Sequence, residues 1–200
     1  MSNGLIILVV LLALAAAWSV SVFNRLVRSR NRLTSAYLQI DVELKRRHDL
    51  LPNLVETARG YLPHERQTLH GVTLARQRAI DARQAVAGSG GAGNLDRMEA
   101  LDRAESGLDT ALARFALVVQ AYPLLKADHT ITQLGEELIA AGNRIGLSRQ
   151  AFNDAVNAHN GTIGRFPDLL VASCFGFAAV GHLRSTTWIS ERAPAAPQST

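Results

Sequence analysis

Gly4 to Phe23 reads GLIILVVLLALAAAWSVSVF, twenty residues without one ionisable side chain. Coiled as a helix, such a run is about 30 Å long, the thickness of a bilayer's hydrocarbon core. Its first constraint is on the fold, because a segment this apolar must be buried in protein or placed in lipid. A secretory signal opens on Lys or Arg and carries an apolar region of about 7–15 residues. Here MSNG supplies no basic side chain, and the run is longer. Ala15-Ala16-Ala17 imitates a cleavage site, but length and flank favour an uncleaved anchor over residues 1–23.

The flanks set an orientation. Arg25, Arg28, Arg30 and Arg32 follow at once, and no acid precedes Asp41. The positive-inside rule then predicts an outward N-terminus and a cytoplasmic remainder, in a single pass of the cell (inner) membrane. These arginines also explain the basic character of the chain, whose formal net charge is +4. They are four of 21 basic side chains, and the other 17 balance the 17 acidic ones. The basicity is a membrane flank and lends no support to nucleic-acid binding. Lys45-Arg46-Arg47-His48 is a further basic run, but Asp41, Glu43 and Asp49 flank it, as on an ion-paired helix surface.

Beyond the anchor, apolar residues recur as Leu26, Leu33, Tyr37, Ile40, Leu44, Leu51, Val55, Ala58 and Leu62, a spacing near the 3.5-residue period of a helix seam. Pro52 removes an N–H and crowds the preceding turn, which predicts a kink or an end near Asp49. Pro63 is placed to open a second helix, with the stripe Leu69, Val72, Ala75, Ala79 and Val86. AGSGGAGN follows, and Asn94 reads as the N-cap of a third helix with the stripe Leu95, Met98, Leu101, Leu108, Leu112, Phe115 and Val119. After Tyr122-Pro123, Thr130 to Gln133 matches a capping box, with Asp128 as the other candidate cap. A fourth stripe, Leu134, Leu138, Ile145, Phe152, Val156, His159 and Ile163, closes before Pro167. The expected fold is therefore all-α: an elongated antiparallel bundle of about four long helices over residues 24–167, behind one transmembrane helix. Residues 168–192 form an apolar C-terminal segment containing Cys174, and 193–200 read as a disordered tail.

No motif brings recognisable catalysis, and the expectation is no enzyme, no cofactor and no metal. Gly88-Ser-Gly90-Gly-Ala-Gly93 has the form G-x-G-x-x-G, but a charged helical pattern precedes it where a strand is required. It reads as a flexible loop between helices. None of the six histidines has Asp, Glu or another His at the helical spacing that places two ligands on one face. One cysteine excludes an internal disulfide.

The segment QIDVELKRRHDLLPNLVETARGY, Gln39 to Tyr61, resembles the signature of LemA family proteins. FNDAVNAHNGTIGRFPDLLVASCFGF, Phe152 to Phe177, is similar to their second signature, and NRI at Asn143–Ile145 also fits. The resemblance implies a single-pass bacterial membrane protein with a short outward N-terminus and a bundle of long helices, and it brings no catalytic residues with it. Departures lie in the second half. Family members commonly have Tyr where Phe152 and His159 stand, and Glu where Gly142 stands. Gly135, Gly142 and Gly146 each cost about 1 kcal/mol against Ala in a helix interior, so a weaker fourth helix is expected.

Two polar sets stand out as candidates for a structural or partner-binding cluster. One is Arg46, Arg47, His48 and Asp49 with Asn53, around the Pro52 break. The other is Asn143, Arg144, Asn153, Asp154, Asn157 and Asn160, of which Asn153, Asn157 and Asn160 form one row. The expectation is that the two sets meet across the bundle. Functionally, the pattern points to a membrane-anchored, non-enzymatic scaffold or signalling module. Its expected partners are the lipid bilayer and an unidentified protein, with self-association as a further option. Two alternatives are open: a lipid-interacting protein whose Arg25–Arg32 flank and Leu169–Phe177 segment both touch the bilayer, and a hydrolase accessory with a cross-helix site at His48, Asp49 and Asn153.

Overall fold

The computed structural model describes residues 2–88 and 93–183, and no strand occurs among them. Six helices follow in order: α1 (Ser2–Arg59), α2 (Arg66–Gly88), α3 (Leu95–Ala121), the short α4 (Pro123–Lys126), α5 (His129–Ile163) and α6 (Asp168–Cys174). The four long ones form the expected bundle, and the apolar N-terminal run is the first part of α1. Of the expected loop over 87–94, residues 87 and 88 end α2, and 89–92 lie outside the described residues, as do the tail over 193–200 and 184–192 of the apolar C-terminal segment.

Helix α1 is 58 residues long, about 87 Å. It changes environment along its length without changing conformation. From Leu5 to Val20 its large apolar side chains are exposed, whereas Val22, Leu26, Leu33, Tyr37, Ile40, Leu44, Leu51, Leu54, Val55 and Ala58 are buried. The seam read from spacing is therefore the seam that packs.

Of the kink or end expected at Pro52, the end near Asp49 does not occur; the helix continues to Arg59. The reason is tertiary. A proline at 52 leaves the carbonyl of His48 without its helical donor. The Nε–H of Arg76 on α2 donates to that oxygen at 2.7 Å. Pro63 does not open α2 either; residues 61–65 form turns, and the helix starts at Arg66.

Asn94 caps α3 as expected, its side chain accepting from the Arg97 N–H at 3.1 Å. At α5 the cap is Asp128, accepting from the Ile131 N–H at 3.0 Å, and Thr130 lies inside the helix. Its carboxyl is held below the ordinary carboxylate range by that N–H and by the Tyr61 hydroxyl, which donates to it at 2.8 Å. Helix α5 runs unbroken through Gly135, Gly142 and Gly146.

The most extensive pairings are α1 with α5 and α2 with α3. The core falls into two main apolar clusters. One, far from the N-terminal run, joins Leu51, Leu54 and Val55 to Leu69, Val72, Leu108, Leu112, Phe115, Leu134 and Leu138. The other joins Leu33, Tyr37, Ile40 and Leu44 to Val86, Met98, Leu101, Ile145, Phe152, Val156 and Leu183. A third, smaller one gathers Val22, Leu26, Ile163, Val171 and Ala172 where α1 leaves the bundle.

Candidate functional site

A buried polar layer separates the two main cores. On α1 it falls between Leu44 and Leu51, and on α3 between Leu101 and Leu108. Arg47, His48 and Glu105 are each at most 2% exposed. The Nε2–H of His48 donates to Glu105 Oε1 at 2.8 Å, and Arg47 Nη1 lies 3.4 Å from Glu105 Oε2. The second amino group of Arg47 donates to Asp109, one turn further along α3. Burial raises the Asp109 carboxyl above its ordinary value, and the Arg47 guanidinium opposes that rise. From α5, Arg149 Nη1 reaches Asp102 Oδ1 at 3.2 Å, so three helices contribute to the layer.

Around it, partly exposed ion pairs tie neighbouring helices together. Arg83 on α2 reaches Asp41 at 3.0 Å, and Arg144 on α5 reaches Glu43 at 2.8 Å. Tyr37 lies in the adjacent apolar core, edge-on to Phe152 with ring centroids 6.5 Å apart. Burial and the Asp41 charge push its phenol up to about 12, against the pull of Arg83. A sealed set of charges between two oily cores is suited to fixing which residues face which, because any slip along an axis would strand a charge in hydrocarbon.

The second polar set, on α5, does something different. Asn160 donates its Nδ2–H to the carbonyl of Val180 at 2.9 Å and accepts the Val180 N–H at 3.0 Å. Asn153 treats Leu183 in the same way, at 2.8 and 2.9 Å. The two asparagines are two helical turns apart, about 10.5 Å, which matches three residues of extended chain at about 3.3 Å each. A non-helical strap, residues 177–183, is thus read through its backbone. His182 Nε2–H donates to Asn157 Oδ1 at 2.8 Å. His159 Nε2 lies 3.3 Å from the Ala178 carbonyl, so Nε2 carries the proton and Nδ1 accepts from Ser29 Oγ at 3.2 Å. Leu183, at the end of the strap, is buried in the Tyr37–Phe152 core.

The expected meeting of the two polar sets does not occur. Antiparallel pairing puts His159 beside Ser29 and Phe152 beside Tyr37, so Asn157 lies opposite the stretch between them. Asp49 is at least twelve residues further along α1, about 18 Å away. Each set instead found a partner on a segment that spacing rules do not reach: α3 for Arg47 and His48, the strap for Asn153, Asn157 and Asn160. Arg144 joins α1 through Glu43, while Arg46, Asp49, Asn53, Asn143 and Asp154 are exposed. Among the flank arginines, Arg25 lies 2.5 Å from Asp168 on α6, and Arg28, Arg30 and Arg32 are exposed.

Sequence reading missed Glu105, Asp102, Asp109 and Arg149. A signal was present: the stripes of α1 and α3 both skip a full seven residues, Leu44 to Leu51 and Leu101 to Leu108, and the skipped turns hold His48 and Glu105. Among the described residues no group of three or more His, Cys, Asp or Glu side chains is placed to hold a metal ion. A hollow of about 560 Å³ lies at the far end of the α1–α2 pair, lined by Val55, Arg59, Leu62, Pro63, Arg66, Leu69, His70 and Thr73. It takes in none of His48, Asp49 and Asn153.

A model of the LemA family matches residues 36–195, a stretch that takes in the polar layer, the asparagine row and the strap. The magnetosome protein MamQ of Magnetospirillum gryphiswaldense is 25% identical over 158 residues, covering 70% of this chain and 56% of MamQ. The chain thus spans little more than half the length of that curated relative.

Proposed function

The chain belongs to the LemA family, and on that premise we propose that it is a single-pass bacterial inner-membrane protein whose cytoplasmic helical bundle is a non-enzymatic module for binding a protein partner. One observation carries the reading: α1 is a single helix whose exposed apolar first part runs directly into the seam of the bundle. A run of apolar side chains exposed to this degree is stable in lipid and costly in water. The same helix that is suited to crossing the membrane then supplies one wall of both main cores. The bundle is thereby coupled to the bilayer without a linker. The arginine flank supports an outward N-terminus. The buried groups are used on one another, which suits a rigid support better than a reaction centre.

The test is topological. In a Cys174→Ser background, Ala116→Cys places one thiol on the exposed face of α3. Intact cells treated with a membrane-impermeant maleimide should leave it unlabelled, and permeabilised cells should label it fully. Labelling in intact cells would overturn the cytoplasmic placement. Release of the full chain by an alkaline carbonate wash would overturn the anchor.

A further inference from the structure

The segment joining α5 to the strap, residues 164–177, forms the end of the bundle that α1 leaves on its way to the apolar run. One face of α6 is accounted for: Val171 and Ala172 pack on Val22, Leu26 and Ile163. Phe175 and Phe177 set their rings against Phe23, with centroids 4.9 and 6.1 Å apart. The other face is equally apolar and is left exposed among the described residues, with Phe175 at the edge, one side of its ring on Phe23 and the rest open. Phe166 is 81% exposed, Phe175 62%, Leu170 56% and Leu169 50%. A helix apolar on both faces needs a second apolar environment.

Position and charge both indicate which. The segment that carries the patch packs on residues 22–26 of α1, where the uncharged, exposed apolar run gives way to arginine. Phe and Leu are the side chains with which interfacial segments seat at this depth of a bilayer. Asp168 is the one acid between Gly164 and Leu183, and its carboxylate is paired with Arg25 at 2.5 Å. The acid therefore adds no net repulsion at an anionic membrane surface.

We propose that Phe166, Leu169, Leu170 and Phe175 form a second membrane contact, seated in the boundary between headgroups and acyl chains of the bilayer that α1 crosses. This rests on the reading of α1 as the membrane span. The occupant is lipid; a second copy of the chain is the competing cover. The span and the patch are two points of attachment on one rigid body, which fixes the rotation of the bundle about the α1 axis as well as its height.

The chain's single cysteine, Cys174, is exposed beside Phe175 and takes a probe directly. The full chain, labelled there with an environment-sensitive fluorophore, is reconstituted in phospholipid nanodiscs. Emission should shift to shorter wavelength and be quenched by nitroxides high on the lipid acyl chain more than by aqueous iodide. Phe166→Ser/Leu169→Ser/Leu170→Ser should reverse that order; these side chains are exposed, Phe175 is kept for its contact with Phe23, and unchanged circular dichroism would confirm the fold. A Cys174→Ser/Leu12→Cys chain carries the same probe into the span. If lipid nitroxides quench at 12 but only iodide quenches at 174, the second contact is overturned and the span is retained. If lipid quenches neither, both are overturned. A probe at 174 shielded from both quenchers would show protein covering the patch, and that too overturns the proposal.

Discussion

The Nε of Arg76 lies 2.7 Å from the carbonyl oxygen of His48, the acceptor that Pro52 deprives of its helical N–H. A helix breaker is thereby converted into a point of attachment between α1 and α2. Arg76→Ala should destabilise the bundle by about 1–2 kcal/mol, because it strands a carbonyl and removes a charged donor. In a Pro52→Ala background the amide of residue 52 recovers that oxygen, and the cost of Arg76→Ala should shrink by about 1 kcal/mol. Chemical denaturation of the four members of this double-mutant cycle measures the coupling. Additive losses would show that Arg76 acts elsewhere.

Glu105 answers both His48 and Arg47 from within the bundle. Glu105→Leu leaves the buried His48 donor without its acceptor and takes from Arg47 one of its carboxylates, Asp109 remaining, and a loss of about 3 kcal/mol is expected. Replacing the set together, as Arg47→Met/His48→Leu/Glu105→Leu/Asp109→Asn, should restore much of that loss, because Asp109 loses its charge along with its Arg47 partner. If the layer sets register, the quadruple variant should also lose uniqueness of packing, read as broadened methyl resonances at Leu44, Leu51, Leu101 and Leu108.

These two cases mark where sequence reading stops. The seams of α1, α2, α3 and α5 were legible because one face of each helix is buried at a regular period. The cap at Asn94 was legible because it involves residues three positions apart; at α5 the same rule offered both Thr130 and Asp128, and the cap is Asp128. At Pro52 the expected end of the helix does not occur, since its remedy is Arg76, on another helix. His48 and Glu105 are 57 residues apart, whereas a search for pairs at helical spacing examines one face of one helix. The asparagine row was visible as a row. Its partner was not, because the strap has no periodicity of its own and is held through backbone atoms common to every residue.

Tyr37 offers a readout at alkaline pH. Its phenol is pushed from an ordinary 10.0 to about 12. Between those values the unfolded chain has released the proton that the native state still holds. Stability should therefore fall as pH rises across this window and level off above it. The Tyr37 hydroxyl is buried with no hydrogen-bond partner among the described residues, so Tyr37→Phe should leave stability at neutral pH unchanged or raise it by up to about 1 kcal/mol. The same variant should flatten the alkaline decline and abolish the last step of the tyrosine absorbance titration.

The strap can be released by one atom. Asn160→Asp keeps the acceptor for the Val180 N–H but faces the Val180 carbonyl with a second oxygen in place of a donor. A local loss of about 1–3 kcal/mol is expected. Hydrogen exchange should show the Val180 amide unprotected while amides at Leu101 and Leu108 exchange as before. Asn153→Asp should do the same to Leu183, which also withdraws a side chain from the Tyr37–Phe152 core.

The unbroken course of α1 also makes it a lever. From Arg25 at the arginine collar to Arg59 at the far end is about 50 Å of continuous helix. A membrane span commonly leans about 20° from the bilayer normal, and each ~10° of lean would sweep the far tip sideways by about 9 Å. On the proposed topology, a partner that meets the Gly60–Pro63 end would do so at a set stand-off from the lipid, and changes in the membrane's own dimensions would become lateral displacements of that end on the cytoplasmic side.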